Sequence, residues 1–210
     1  MNELVKNCSI ENVVFDFGGV LVDWDPHLPL QGSYPDGVID MFLDPTDEWG
    51  FWRYNELSHV GWGESKILDD YESTHGPAVA WVFRTYFEGY RKALKRMMPG
   101  MGELLEELQS NGIHLWGLTN STKQYVDAMF EMFAPMRLLE GTVISSQEGL
   151  RKPDELVYQV MLRRFQIEPE RTVFVDDCPE NVNAAQQLGI RSFVFRDSRT
   201  FRTQLHELGI

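Results

Sequence analysis

Val13-Val14-Phe15-Asp16-Phe17-Gly18-Gly19-Val20-Leu21-Val22 is an apolar run interrupted by one carboxylate and two glycines. A short β-branched and aromatic run that stops at a glycine turn reads as a buried strand. Asp16 then stands at the carboxyl end of that strand, where ligands bind in open parallel sheets.

The carboxyl-terminal half of the chain supplies the rest of such a sheet. Met101, Leu104, Leu105 and Leu108 recur at helical spacing, and Asn111-Gly112 ends that helix. A strand is expected over Ile113–Leu118, a helix over Lys123–Phe133 and a short strand over Thr142–Ile144. Pro153 is placed to open the next helix in its first turn. A strand over Arg171–Val175, a helix over Glu180–Leu188 stopped by Gly189, and a strand over Ile190–Phe195 complete the series. This alternation predicts an α/β fold: a Rossmann-like parallel sheet with helices on both faces.

From Asp23 to Met98 the rhythm is lost, although five of the six tryptophans fall there. Trp81–Lys95 reads as a long helix ended by Pro99-Gly100. The expected organisation is an α/β core of residues 1–22 and 98–210, with residues 23–97 inserted as a small helical cap. Trp24, Trp49, Phe51, Trp52, Tyr54 and Trp62 lie in this insertion. Stacking on a substrate is one reading of them; packing of a small helical bundle is the other.

The net charge is −13. Such a chain repels both the nucleic-acid backbone and anionic lipid, so neither is an expected partner. A phosphorylated substrate is also an anion, so its site must be made locally positive by a metal, a lysine and backbone amides. Cys8 and Cys178 form no metal or redox pattern, and the amino terminus lacks a signal-peptide profile. A reducing cytoplasm is the expected location. The oligomeric state is not legible.

Four clusters fall just after predicted strands: Asp16; Thr119 and Asn120; Lys152; and Asp176 with Asp177. Singly each has an ordinary structural reading as a turn, a cap or a solvated lysine. Together they make a chemical set. Three carboxylates without histidine or cysteine favour a hard cation, magnesium before zinc. A hydroxyl, a lysine and glycine amides favour a phosphate. A carboxylate facing a metal-bound phosphate can attack phosphorus.

These segments resemble the haloacid dehalogenase (HAD) superfamily over almost the whole chain. The resemblance rests on Val13–Val20, Leu118-Thr119-Asn120-Ser121, Gly149-Leu150-Arg151-Lys152-Pro153-Asp154 and Val173-Phe174-Val175-Asp176-Asp177. The place of the insertion is similar to that of members with a type-1 helical cap, and Ser145–Asp197 looks closest to the α-D-glucose-1-phosphate phosphatase-like branch. The resemblance implies a magnesium-dependent hydrolase of a small phosphorylated metabolite, such as a sugar phosphate, acting through an aspartyl phosphate. It makes Asp16 the nucleophile and a Mg²⁺ ligand, beside the Gly18 carbonyl and Asp177, with Asp176 in support. Thr119 and Lys152 would hold phosphoryl oxygens, and Phe17, Gly18 and Asn120 would border the substrate.

One position departs from the pattern. Most phosphatases of this kind read Asp-x-Asp in the first motif, and here it is Asp16-Phe17-Gly18. The missing aspartate is the general acid and base. Asp23, Asp25, His27, Glu56 and His59 are candidates to replace it. Otherwise the substrate carries a good leaving group, or the protein binds a phosphate ligand with little or no turnover. A metal-independent 2-haloacid dehalogenase also lacks that aspartate, but adjacent acids at 176 and 177 would repel Asp16 without a cation.

Overall fold

A computed structural model describes residues 9–210; Cys8 lies outside the described residues. Strand β1 (Asn12–Phe15) is the wholly buried centre of the fold. It leads through a tight turn, in which the Phe17 carbonyl accepts from the N–H groups of Leu21 and Val22, into β2 (Val22–Trp24). Helices α1 (Asp36–Phe42), α2 (Phe51–His59), α3 (Glu64–His75) and α4 (Pro77–Gly89) follow, then β3 (Leu94–Met97). Next come α5 (Met101–Ser110), β4 (His114–Thr119), α6 (Lys123–Met132), β5 (Gly141–Ile144), α7 (Ser145–Glu148) and α8 (Glu155–Phe165). The chain closes with β6 (Thr172–Asp176), α9 (Pro179–Gln187), β7 (Arg191–Val194) and α10 (Ser198–Glu207).

Five strands form one parallel sheet in the order β5-β4-β1-β6-β7. Asn12 pairs with His114 on one side and Thr172 on the other, so Asp16, Thr119 and Asp176 reach the same edge. Side chains alternate across β1 as the pleat requires. Val13 and Phe15 pack with α5, α6 and α10. Val14 packs with Leu118, Phe174, Tyr158 and Ala185 under α8 and α9. Both faces are therefore covered by helices, which is why these strands read as unbroken apolar runs.

Two local expectations are corrected, and one helix is added. The helix predicted over Trp81–Lys95 runs instead from Pro77, whose ring suits a first helical turn, to Gly89. Tyr90–Ala93 is a 3₁₀ turn, and the chain then enters β3, paired antiparallel with β2 through Val22–Met97 and Asp23–Arg96. Helix α8 is opened by Asp154, whose carboxylate accepts from Leu156 N–H at 2.9 Å, and not by Pro153. Beyond the last predicted strand, α10 is capped by Asp197, which accepts from Thr200 N–H at 2.7 Å. Its Phe201 meets Phe15 edge-on at 6.2 Å.

Most aromatic residues of residues 23–97 are packing residues. Phe51 and Tyr54 are buried among Phe42, Tyr71, Phe83 and Tyr86. Trp52 packs on Trp24 and donates its indole N–H to the Leu43 carbonyl at 2.8 Å. Trp49 and Trp62 lie under the cationic ends of Arg53 and Lys66. Among the described residues no helix is long and apolar enough to cross a membrane.

Candidate active site

The parallel register brings the predicted residues together. Lys152, only 1% exposed, sends its ammonium between two carboxylates, 2.8 Å from Asp16 Oδ1 and 2.6 Å from Asp176 Oδ2. It also donates to the Leu118 carbonyl at 2.9 Å. All three ammonium protons thus have acceptors, as a buried lysine requires. Burial alone would lower the Lys152 pKa, but the charges of Asp16 and Asp176 outweigh it and hold the ammonium above its usual range.

Asp176 is fully buried and saturated. Its Oδ1 accepts from Cys178 N–H at 2.8 Å and Asn181 Nδ2 at 2.9 Å, and its Oδ2 takes the lysine. Asp177 is exposed at the rim. Oxygens of Asp16, Asp176 and Asp177 lie within 4.8 Å of one another. Three carboxylates against one ammonium leave an excess of negative charge. Its effect is visible on Asp16, whose pKa is pushed up to about 7 by burial and by Asp176 and Asp177, against the pull of Lys152. Asp177 is raised by desolvation and by Asp176. A small all-oxygen donor set short of positive charge fits a hard divalent cation.

Two glycines shape the other wall. Gly19 has φ +74°, and a Cβ there would run into the Asp177 carboxylate. Only glycine lets the turn pass so close. Gly18 is different: its φ is not in the left-handed region, and a Cβ would meet nothing within 4 Å.

Asp16, Gly18, Thr119, Asn120, Lys152 and Asp177 line one cleft of about 320 Å³. The side chain of Phe17 is not among them. It is fully buried against Phe130 and the backbone of Gly117, so only its main chain can face a substrate. Asn120 has a structural task besides bordering the cleft. Its Nδ2 donates to the Lys152 carbonyl and its Oδ1 accepts from Lys152 N–H, each at 2.9 Å.

Sequence reasoning missed Asn181 and Asn55, and named Trp24 only among six aromatic residues of the insertion. Asn181, five residues after Asp176 on α9, had no spacing signal of its own. Trp24 borders the cleft and, with Asn55, His59, Tyr90, Tyr125 and Met129, a second cavity of about 100 Å³. The two cavities share Gly18, Trp24, Thr119 and Asn120. Of the five candidates for the missing acid–base group, only His59 faces this space. Asp23 pairs with Arg96 and Lys95, Asp25 with His27 and Lys95, and Glu56 with Arg151.

The chain is similar to known proteins in sequence and in fold. Over 95% of this chain and 97% of its own length, the sesquiterpene phosphatase astK of Aspergillus oryzae is 30% identical. The D-ribitol-5-phosphate phosphatase of Bacteroides thetaiotaomicron is 26% identical over 93% of this chain and 97% of its own. Among solved structures, a HAD family enzyme of Bacteroides thetaiotaomicron, an Asp→Ala mutant in complex with magnesium and inorganic phosphate, superposes with a TM-score of 0.70. That match has 18% identity over 90% of this chain and 96% of the other. The profile of the haloacid dehalogenase-like hydrolases matches residues 10–189, which carry all four motifs and every strand of the parallel sheet except β7, and the chain therefore belongs to that family of hydrolases.

Proposed function

We propose that the protein hydrolyses phosphate monoesters with an apolar alcohol portion, by transferring the phosphoryl group to Asp16. The observation that carries this reading is the buried Lys152 ammonium, fixed 2.8 Å from Asp16 in the cleft that Thr119 and the Gly18 turn also line. Lys152 and Thr119 hold the phosphoryl oxygens, while Asp16 is aimed at phosphorus. Asp16, the Gly18 carbonyl and Asp177 are the ligands we assign to Mg²⁺, with Asp176 behind them holding Lys152. When bound, the cation supplies the positive charge that lets an anionic nucleophile meet an anionic substrate. Metal-free dehalogenation would leave that carboxylate excess uncompensated.

The apolar leaving group rests on the walls. Trp24, Tyr90, Tyr125 and Met129 offer rings and a thioether, and Tyr125 also borders a further cavity with Trp62, Ile67 and Phe87. The similarity to a sesquiterpene phosphatase points the same way. We assign Trp24 and Tyr90 to a cap of residues 23–97, and Tyr125 and Met129, on α6, to the facing core of 1–22 and 98–210. The test is a substrate screen with and without Mg²⁺, using an isoprenoid monophosphate, hexose phosphates and aryl phosphates. The expected result is Mg²⁺-dependent release of phosphate, with kcat/KM for the isoprenoid ester well above that for the hexose phosphates and the aryl phosphates serving as the reference for an acidic leaving group. A preference for hexose phosphates restores the sugar-phosphate reading. Tight phosphate binding without turnover of any ester marks a phosphate-ligand-binding protein instead.

A further inference from the structure

We propose that His59 is the general base for hydrolysis of the Asp16 phosphoenzyme, working from the helical insertion in place of the carboxylate that Gly18 lacks. The inference rests on the aspartyl-phosphate reading above and adds a residue to it.

Gly18 and His59 line one cavity. Its volume is about 100 Å³, enough to admit water. His59 shares this space with Gly18, Thr119 and Asn120, the same residues that border the Asp16 cleft. It is the last residue of α2, and Asn55, one turn earlier on the same face, lines the cavity with it. Arg151, next in sequence to Lys152, ties this helix to the catalytic loop: its guanidinium meets Glu56 at 3.3 Å. The base is thus held against the same segment that holds the phosphate.

The imidazole is also free to act. His27, His75 and His114 each hydrogen-bond through a ring nitrogen. Among the described residues none hydrogen-bonds to His59. Burial, together with the charges of Arg151 and Lys152, lowers its pKa to about 4. It is therefore neutral at physiological pH, the form a base needs. A phosphoryl dianion beside Lys152 offsets those cations and makes the ring more basic when the phosphoenzyme is present.

The step balances. A water oxygen bonds to phosphorus as the bond from phosphorus to the Asp16 oxygen breaks, and that electron pair returns to the Asp16 carboxylate. One water proton passes to the imidazole, the products are inorganic phosphate and imidazolium, and the imidazolium releases its proton to solvent. In the preceding step His59 carries no proton to give, so the leaving alcohol departs without help from it.

The test is rapid acid quench of an aryl phosphate reaction with the wild type, His59→Ala and His59→Gln. General bases contribute about 10²–10⁴-fold. Both variants should accumulate protein-bound phosphate, with steady-state turnover down by at least about 10²-fold and the burst rate within about threefold of wild type. Added imidazole should restore turnover to His59→Ala. Clearance of phosphoenzyme at the wild-type rate in His59→Gln overturns the proposal. So does an equal loss of burst and turnover in both variants, the mark of a structural role. If His59→Ala does not fold, His59→Gln decides alone. Asp16→Asn run in parallel separates the two readings: full turnover there removes the aspartyl phosphate itself, whereas full turnover in the His59 variants removes only the base.

Discussion

The ammonium of Lys152 lies 2.8 Å from Asp16 Oδ1, out of contact with bulk water and with a second carboxylate, Asp176, at 2.6 Å on its other side. Removing one partner of a buried ion pair leaves uncompensated charge and typically costs about 3–5 kcal/mol. Lys152→Met is therefore expected to lose activity and about 3 kcal/mol or more of stability at pH 7. The loss should shrink toward pH 5, where protonation of Asp16 relieves the repulsion. Urea unfolding at the two pH values checks this, and an equal loss at both would show that the lysine neutralises nothing.

Magnesium should stabilise the fold with a defined pH sense. Asp16 has its folded pKa raised from an ordinary carboxylate value to about 7. Between those values the metal-free folded state binds a proton more tightly than the unfolded chain does. Its stability contribution is then present at low pH and lost as pH rises through about 7. A cation competes with that proton and replaces its effect. The rise in Tm on adding Mg²⁺ in place of EDTA should accordingly be larger at pH 8 than at pH 6. A shift independent of pH would place the ion away from Asp16.

Much of this was legible in the sequence because it follows from strand ends. Asp16, Thr119 and Asp176 each follow an apolar run, and parallel register does the rest. What stayed illegible has a different physical origin. β2 and β3 are three and four residues long and half polar, so their pattern falls below any periodicity. Phe17 lies in the first motif, yet its ring points the other way, into the core; sequence position does not give side-chain direction in a turn. Asn181 is fixed by its bonds to Asp176 and reaches the cleft only through the packing of α9. His59 could be named among acids and bases but not singled out, because its place depends on how four helices of the insertion pack.

Asn120 offers a test of the loop it fastens. Its two reciprocal bonds to the Lys152 main chain leave with Asn120→Ala, exposing a donor and an acceptor that are partly buried. The expected cost is about 1–3 kcal/mol. Because the loop carries Lys152, phosphate affinity should fall alongside stability. Isothermal titration with inorganic phosphate in Mg²⁺ measures this, and unchanged affinity would assign Asn120 to scaffolding alone.

Gly18 stands where the backbone permits what the sequence omits. Its φ is not left-handed and a Cβ has open space around it, so Gly18→Asp introduces neither backbone strain nor overlap at that carbon. The new carboxyl would border the cavity shared with His59 and Trp24. With no carboxyl at Gly18 and an unprotonated His59, phosphoenzyme formation should depend steeply on leaving-group acidity. Gly18→Asp should flatten that dependence, with a gain of up to about 10²-fold for alkyl esters and little change for aryl esters. In the His59→Ala background the same substitution supplies a second route for water activation, and should return turnover lost with the imidazole. The measurement is a leaving-group series of substituted phenyl and alkyl phosphates, followed through the burst and at steady state. It is run on the wild type, on Gly18→Asp, on His59→Ala and on the variant carrying both substitutions. A folded Gly18→Asp protein with an unchanged slope would mean that protonation of the leaving oxygen does not limit this enzyme, and that the glycine reflects a substrate needing no acid.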